Sequence, residues 1–317
     1  MSSELHEWIV PPEEYSPGRL DRWLVAHAPE HSRAKWQELI RGGQVTVNGQ
    51  AAKPNHTLRT GDGIRAVIPP PLPTEVAAEN IPLNVVYEDE DLIVINKPPG
   101  MVVHPAPGHA GGTLVNALLH HVTDLQGIGN ELRPGIVHRL DRETSGLLVA
   151  AKHERALFQL ARQFKAREVR KEYVALVWGR TRDIRGTIAE PIGRDPRNRK
   201  KMSTRAPAGR AAVSHFTVLK RYESCTLVRV TIETGRTHQI RVHMAHLGHP
   251  VVGDTLYSRR SHPILPVPAT RQLLHAEKLS FTHPVTGMEI ALTAPIPEDF
   301  KRVLDALDAS GGGKGTT

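Results

Sequence analysis

The length, charge and cysteine content of the chain exclude several classes of protein. Its 317 residues carry a net charge of +8, and 39% are hydrophobic, which suits about two folded domains and argues against wholesale disorder. No apolar run is long enough to span a bilayer, and the glutamate-rich first residues contain no signal core, so we expect a cytoplasmic protein without a membrane partner. The single cysteine, Cys225, cannot form an internal disulfide. The positive charge favours a polyanion such as nucleic acid as partner.

Two short helices and a hairpin are predicted near the N-terminus. Apolar residues at helical spacing indicate a helix over residues 19–28, and Ser32 is a suitable N-cap for a second helix that ends at Gly42. Asn48-Gly49 is a strong hairpin signal after a short apolar run. Residues 64–68 have the composition of a strand. These elements form a small N-terminal unit.

A run of prolines ends this unit. Residues 69–73 read Pro-Pro-Pro-Leu-Pro, and consecutive prolines favour an extended, semi-rigid backbone that cannot continue a β-ladder. We therefore predict an N-terminal domain over residues 16–75, a proline-rich linker over 76–84, a larger domain over 85–305 and a disordered tail over 306–317.

Strands dominate the larger domain. Residues 92–95 and 146–151 are short apolar runs typical of buried strands, and residues 172–178 are strand-like. In residues 227–233 apolar and polar side chains alternate, as in a strand with one buried face. Helical patterns, such as residues 157–164, fall between the strands without regular alternation. We therefore expect an α+β fold, with a mainly antiparallel mixed sheet in this domain and a small α/β N-terminal domain.

The first segment with chemical content lies just before the second buried strand. Asp141 is flanked there by Arg139 and Arg142, and adjacent cations favour the ionised carboxylate. If this stretch is extended, the side chains of Arg139 and Asp141 point to the same side. A surface ion pair at the entrance of a strand explains the charge pattern at least as well as a functional carboxylate does. The residues alone therefore leave both interpretations open.

Two later segments carry polar groups beside predicted strands. Tyr173 lies near the start of one strand, where a tyrosine is usually a packing residue. Residues 234–243 place arginines and histidines after a glycine turn, which suits anion binding. A metal site is disfavoured, because the histidine intervals match no helical pair and no carboxylate lies among them. The histidines in question are His238, His243, His246 and His249.

Seven cations crowd a segment that contains one acid. Residues 194–210 include Asp195, two prolines and a glycine, so we expect a loop. Cations held close together repel one another, and a bound polyanion would stabilise them. A solvated mobile loop is the competing interpretation. The cations are Arg194, Arg197, Arg199, Lys200, Lys201, Arg205 and Arg210.

Taken together, these segments resemble the RluA/RluD family of RNA pseudouridine synthases. The family signature, His-Arg-Leu-Asp-x-x-Thr-Ser-Gly, is matched position for position by residues 138–146. The aromatic motif of the family resembles residues 171–173, its third motif resembles residues 235–243, and its Lys-Pro-x-Gly element matches residues 97–100. The N-terminal unit resembles an S4-type RNA-binding domain.

The resemblance implies isomerisation of uridine to pseudouridine in RNA without cofactor or metal. Asp141 corresponds to the catalytic aspartate, which either adds to C1′ of the ribose or removes a proton at C2′; the sequence does not choose between them. Arg241 corresponds to the cation that pairs with Asp141. Tyr173 corresponds to the aromatic residue that lies against the uracil and assists the final proton loss from C5.

The resemblance also implies how RNA binds. A stacked uridine has to be extruded before its C1′ can be reached, and Arg139 corresponds to the residue that fills the vacated space. Ile240 and Leu274 are expected to form the apolar wall of the pocket. The implied substrate is large-subunit (23S) ribosomal RNA, and the protein is expected to be a monomer. Further RNA contacts are expected from Arg194, Arg197, Arg199, Lys200, Lys201 and Arg205.

Three rival functions remain at this point. The first, a non-catalytic RNA-binding or ribosome-assembly factor, would use the basic segment and the N-terminal domain equally well. Asp141, Tyr173 and Arg241 argue against it, because a protein that only binds RNA has no need of an ionised carboxylate facing phosphates. The second is a metal-dependent nuclease built on the histidines, and the third is a pseudouridine synthase that acts on transfer RNA.

Overall fold

The structure of the chain is a computed structural model that describes residues 4–12, 17–68, 76–105, 111–122, 125, 128–129, 133–258 and 262–311. The proline run at residues 69–73 and residues 312–317 of the predicted tail lie outside the described residues. Within the described ranges, no helix combines the length and the hydropathy needed to cross a membrane.

A four-stranded antiparallel sheet and two helices form the N-terminal part of the chain. Its elements are β1 (Glu4–Ile9), α1 (Leu20–His27), α2 (Arg33–Arg41), β2 (Val45–Val47), β3 (Gln50–Ala51) and β4 (Gly63–Ile68). The strand order is β1-β4-β2-β3. The helices bury Leu20, Trp23 and Trp36 in one apolar core with the sheet, so the helical spacing of these residues is explained by burial.

Two local signals in this part of the sequence are confirmed. Ser32 caps α2, because its hydroxyl oxygen accepts a hydrogen bond from the backbone N–H of Lys35 (3.2 Å). Asn48 (φ 50°) and Gly49 (φ 76°) join β2 to β3 in the left-handed conformation that a two-residue hairpin turn requires.

A nine-stranded sheet forms the centre of the larger part. Its elements, with those that flank it, are β5 (Val85–Glu88), β6 (Leu92–Lys97), α3 (Leu114–His121), β7 (Ser145–Ala151), α4 (Glu154–Ala166), β8 (Arg170–Trp178), β9 (Arg185–Ile188), β10 (Gly193–Arg194), β11 (Met202–Ser203), β12 (Ser214–Arg221), β13 (Cys225–Ile232), α5 (Gln239–His246), β14 (Leu274–Thr282), β15 (Glu289–Thr293) and α6 (Glu298–Ala309). The strand order is β5-β6-β7-β14-β8-β13-β12-β9, and β15 also pairs with β14. Neighbouring strands are antiparallel except β7 and β14. The predicted α+β fold with a mainly antiparallel sheet is confirmed.

The strand order brings distant segments together in the middle of this sheet. The strands β7, β14, β8 and β13 are successive neighbours. Asp141 lies just before β7, Tyr173 lies near the start of β8, and Leu274 begins β14. Arg241 lies on α5, which follows the end of β13. These four residues therefore meet at one region although they are far apart in sequence.

The contact between β7 and β14 requires a glycine at position 146. Gly146 has φ 113°, which side chains rarely adopt, and it pairs with Ala276 of β14. A Cβ at position 146 would lie 2.2 Å from the backbone oxygen of Ala276. The last residue of the signature is thus explained by the close approach of two backbones beside Asp141.

The segments at both ends of the larger part are attached to it more closely than the sequence suggested. In residues 76–84, predicted as linker, the Ala77 carbonyl accepts a hydrogen bond from the Asn116 side chain of α3 (2.8 Å). At the other end, α6 includes residues 306–309, which we expected in the tail. Phe300, Val303 and Leu307 recur at helical spacing and are buried, so the helix continues through Ala309.

Candidate active site

Asp141 lies in a turn that is held by three sets of hydrogen bonds. The N–H of Thr144 donates to the Asp141 carbonyl (3.0 Å), and the N–H of Gly100 donates to the Arg142 carbonyl (2.9 Å). The ammonium of the fully buried Lys97 donates to three backbone carbonyls, including that of Arg142 (3.0 Å). Burial lowers the pKa of Lys97 to about 7. These contacts fix the backbone that presents the Asp141 carboxylate.

The cation beside Asp141 is Arg241. Its Nη1 donates to Asp141 Oδ2 (3.0 Å), while its Nε and Nη2 donate to the two carboxylate oxygens of Asp254 (2.6 and 3.0 Å). The side chain of Asp254 is 0% exposed and that of Asp141 is 16% exposed. Although burial opposes it, the hydrogen bonds with Asp254 and the charge of Asp141 raise the pKa of Arg241. One buried carboxylate thus holds Arg241 in place, and Arg241 in turn orients the more accessible carboxylate.

The arginines that flank Asp141 in sequence, Arg139 and Arg142, form no direct ion pair with it in the described part of the chain. Arg142 pairs instead with Glu143 (3.2 Å). Proximity in sequence therefore did not indicate which cation pairs with Asp141.

A histidine and a tyrosine also surround the carboxylate. His238 Nε2 lies 3.9 Å from Asp141 Oδ1, and His238 Nδ1 lies 2.8 Å from the Tyr257 hydroxyl. That hydroxyl accepts a hydrogen bond from the N–H of Met202 (2.8 Å), and the Tyr257 ring lies 5.1 Å from the Arg241 guanidinium carbon. Burial lowers the pKa of His238, so its ring is neutral at neutral pH. This arrangement favours a proton on Nε2, directed at Asp141.

The residues predicted to act on the uridine line one cavity. They are Asp141, Tyr173, Arg241, Arg139, Ile240 and Leu274. Tyr173, Ile240 and Leu274 are buried in the core cluster beneath it, whereas Arg139 is exposed. Burial, and then the charge of Asp141, raise the pKa of Tyr173, so its hydroxyl stays protonated at neutral pH. The cavity therefore combines one accessible carboxylate, an aromatic ring and an apolar wall.

The basic segment is a short hairpin rather than a loop. Strands β10 and β11 pair antiparallel, and all six predicted RNA-binding residues lie on this hairpin or directly after it, outside the cavity lining. Asp195 accepts hydrogen bonds from the backbone N–H groups of Arg197 and Asn198 (2.8 and 3.0 Å). Asp195 therefore uses these two bonds to close a turn of the backbone, and the bonds do not involve the side chains of the neighbouring cations. Lys201 lies 5.9 Å from the ring of Tyr257, which places the hairpin beside the site.

The histidines considered as metal ligands are dispersed. His243 contacts the Ser214 hydroxyl (2.9 Å), and His249 contacts the Trp178 carbonyl (2.8 Å). His238 contacts Tyr257, as described above. Each of these rings thus has its own hydrogen-bond partner in a different part of the fold.

A group with metal-like spacing lies elsewhere, at Asp89, Asp91 and His283. His283 Nδ1 accepts hydrogen bonds from the backbone N–H groups of Val285 and Thr286 (3.2 and 3.0 Å). The ring proton of neutral His283 is therefore on Nε2, which donates to Asp89 (2.8 Å). Because this nitrogen has no free lone pair, the group fits a hydrogen-bonded brace better than a metal centre.

Comparison with known proteins shows which family this chain resembles. The family model described as RNA pseudouridylate synthase matches residues 91–246, and the S4 domain model matches residues 18–64. An uncharacterized RNA pseudouridine synthase of Chloroflexus aurantiacus is 53% identical over 94% of this chain and 92% of its own length. The ribosomal large subunit pseudouridine synthase D of Pseudomonas aeruginosa is 44% identical over 97% of both chains. The structure of human RNA pseudouridylate synthase domain containing 1 matches with a TM-score of 0.57 and 29% identity, over 76% of this chain and 92% of that chain.

Proposed function

Because the chain belongs to the RNA pseudouridine synthase family, we propose that it isomerises specific uridines of large-subunit ribosomal RNA, with Asp141 as the catalytic group. Its general activity, formation of pseudouridine in RNA, follows from the family. The observation that supports the role of Asp141 is its 3.0 Å contact with Arg241 in a cavity that Tyr173 also lines. A carboxylate that is oriented but still partly accessible can react with a substrate.

The reaction breaks the N1–C1′ bond of the uridine and forms a C5–C1′ bond in its place. Asp141 either adds to C1′ as N1 departs and is displaced when C5 bonds to C1′, or removes the proton at C2′ as N1 departs and returns it as the C5–C1′ bond forms. In either case Arg241 keeps the carboxylate oriented. The freed uracil turns within the cavity, where the ring of Tyr173 lies against it. After the new bond forms, C5 loses its proton and N1 gains one, so that product and substrate have the same composition. In this proposal the Tyr173 hydroxyl assists the proton loss from C5 as a relay, giving up its own proton as it takes the one from C5, because burial keeps it protonated.

The uridine reaches this cavity only after leaving its stack in the RNA. Extrusion of a base costs a few kcal/mol. Arg139 is exposed and lines the cavity, so its planar guanidinium can occupy the space left by the base and still contact phosphate. This offsets part of the cost of extrusion.

The substrate class is inferred from the relatives and from the charge of the surface. Several relatives at 42–44% identity are ribosomal large subunit pseudouridine synthases. The hairpin of β10 and β11 and the S4 domain supply basic surface that suits a structured ribosomal RNA.

Pseudouridine mapping of RNA from cells that lack this protein tests the assignment. We expect one or a few pseudouridines to be missing from large-subunit ribosomal RNA, and restored by a plasmid copy of the protein. A loss confined to transfer RNA would refute the ribosomal substrate. An unchanged map of all RNA would instead favour a binding or assembly factor.

A further inference from the structure

A second, larger cavity adjoins the one that contains Asp141. Its volume is about 530 Å³, which lies within the range of pockets that hold small ligands. Because several residues line both cavities, the two share a wall. The shared residues are Arg139, Tyr173, Ile232, Gly235 and Arg236.

Positive charge is in large excess around this second cavity, which we call the basic cavity. Six cations line it against one carboxylate, Glu233, which already pairs with Arg167 (3.4 Å). The cations are Arg133, Arg139, Lys165, Arg167, Lys171 and Arg236. Burial, together with the charges of Arg133 and Arg139, lowers the pKa of His104 in the lining to about 4. The cavity is therefore suited to an anion.

Lys171 is the cation that points most clearly to a ligand. It is 7% exposed, and within the described ranges its ammonium has neither a hydrogen-bond acceptor nor a carboxylate partner. The ring of Phe164 lies 5.5 Å from this ammonium. Burial without a compensating charge lowers the pKa of Lys171. The Lys171 side chain is largely buried and its ammonium has no counter-ion, so the charge is poorly solvated; an anion in the cavity would offset this cost.

The position of Lys171 connects this charge to the reaction. Side chains alternate along a strand, so Lys171 and Tyr173 lie on the same face of β8. Tyr173 lines the cavity of Asp141 as well, so an anion at Lys171 would lie directly beside a uridine placed against Tyr173.

We propose that the basic cavity binds the nucleotide next to the target uridine, with Lys171 in contact with a phosphate oxygen between them. The inference rests on the proposed function, because it takes the cavity of Asp141 to hold the uridine. A phosphodiester accompanies every uridine in RNA, and the volume holds more than a bare phosphate. The stacked rings of His138 and Phe164, 4.6 Å apart, supply an aromatic wall for the neighbouring base.

Lys171→Met tests the proposal, with Lys301→Met as the matched control. Methionine keeps much of the side-chain length and removes the charge, and Lys301 is exposed on α6 and lines neither cavity. Turnover is measured on a large-subunit ribosomal RNA fragment, and equilibrium binding of the same fragment is measured over a range of salt concentrations. Thermal unfolding is measured for both variants.

Lys171→Met is expected to raise KM roughly tenfold or more, with a smaller change in kcat. The slope of log affinity against log salt should fall by about 0.7–1, as for loss of one phosphate contact. Lys301→Met should match the wild type in every assay. The stability of Lys171→Met should not fall, because an unpaired buried charge has been removed; a large loss of stability would reveal a structural partner and overturn the proposal.

A neutral methylphosphonate in the RNA identifies the phosphate. Placed beside the target uridine, it should weaken binding to the wild type but have little further effect on Lys171→Met. Equal losses in both proteins would contradict the contact. If the wild type forms pseudouridine but Lys171→Met behaves like Lys301→Met, this proposal fails and the proposed function stands. If the wild type modifies no ribosomal RNA, the proposed function itself fails.

Discussion

Replacing Asp254 with asparagine tests whether Arg241 is held by a carboxylate that takes no part in the chemistry. In the wild type, Asp254 accepts two hydrogen bonds from Arg241 (2.6 and 3.0 Å) and is fully buried. Asparagine offers one oxygen, and its NH₂ group would face an N–H of the guanidinium. Arg241 would then keep its charge but lose its buried counter-ion.

The expected effect on stability is large. Removing one partner of a buried ion pair costs about 3–5 kcal/mol. With a urea dependence of about 3 kcal/mol per molar, the midpoint of unfolding should fall by about 1 M or more. Asp141→Asn should lose less stability, because Arg241 retains its pair with Asp254 and loses only one hydrogen bond. Such a bond contributes at most about 3 kcal/mol, and less at a partly exposed group such as Asp141. The assay is urea unfolding followed by circular dichroism.

Asp305→Asn is the matched control, since Asp305 is exposed on α6. Its midpoint should equal that of the wild type. The reasoning is refuted if Asp254→Asn is as stable as this control. It is also refuted if Asp141→Asn is destabilised as much as Asp254→Asn, because the two carboxylates would then hold Arg241 equally.

Two further predictions concern turnover and pH. Arg139→Ala should slow pseudouridine formation roughly tenfold or more on a base-paired target while leaving unfolding unchanged, since it removes the group that offsets extrusion; steady-state kinetics equal to wild type on structured RNA would contradict this role. Lys97 has a pKa of about 7 in the folded chain, against 10.5 in the unfolded chain. Between pH 7 and 10.5 the unfolded chain therefore binds more protons than the folded chain, so the free energy of unfolding rises with pH in this range. This rise in the free energy of unfolding is at most about 1.4 kcal/mol per pH unit and should be absent in Lys97→Met. If the stability difference between wild type and Lys97→Met stays constant from pH 7.5 to 9.5, the lowered pKa of Lys97 is contradicted.

The residues round the cavity were predictable because they lie in recognisable motifs. Asp141 and Arg241 are 100 positions apart, and charge pattern alone left Asp141 open to the interpretation of a surface ion pair. The match of residues 138–146 to the family signature singled out Asp141, and the match of residues 235–243 to the third motif supplied what the pattern could not, namely Arg241 as the distant residue that faces the carboxylate. The fold class followed from the irregular order of strands and helices.

The features that escaped prediction depend on long-range contacts. The partnership of Asp254 with Arg241 exists only once α5 lies against the segment after it, and an aspartate beside a glycine has no local signal for a buried partner. Strand β1 was missed because it pairs with β4 while Leu5 and Ile9 stay exposed, so its burial does not appear as apolar alternation. The hairpin of β10 and β11 has strands of two residues, too short to show any period.

Pseudouridine formation by Asp141→Asn tests the central claim most directly. A large-subunit ribosomal RNA fragment is incubated with wild type, Asp141→Asn or Asp305→Asn, and pseudouridine is then mapped at single-nucleotide resolution. We expect the same modified positions with wild type and Asp305→Asn, and none with Asp141→Asn, although that variant should fold and bind the RNA. Full conversion by Asp141→Asn would contradict the account.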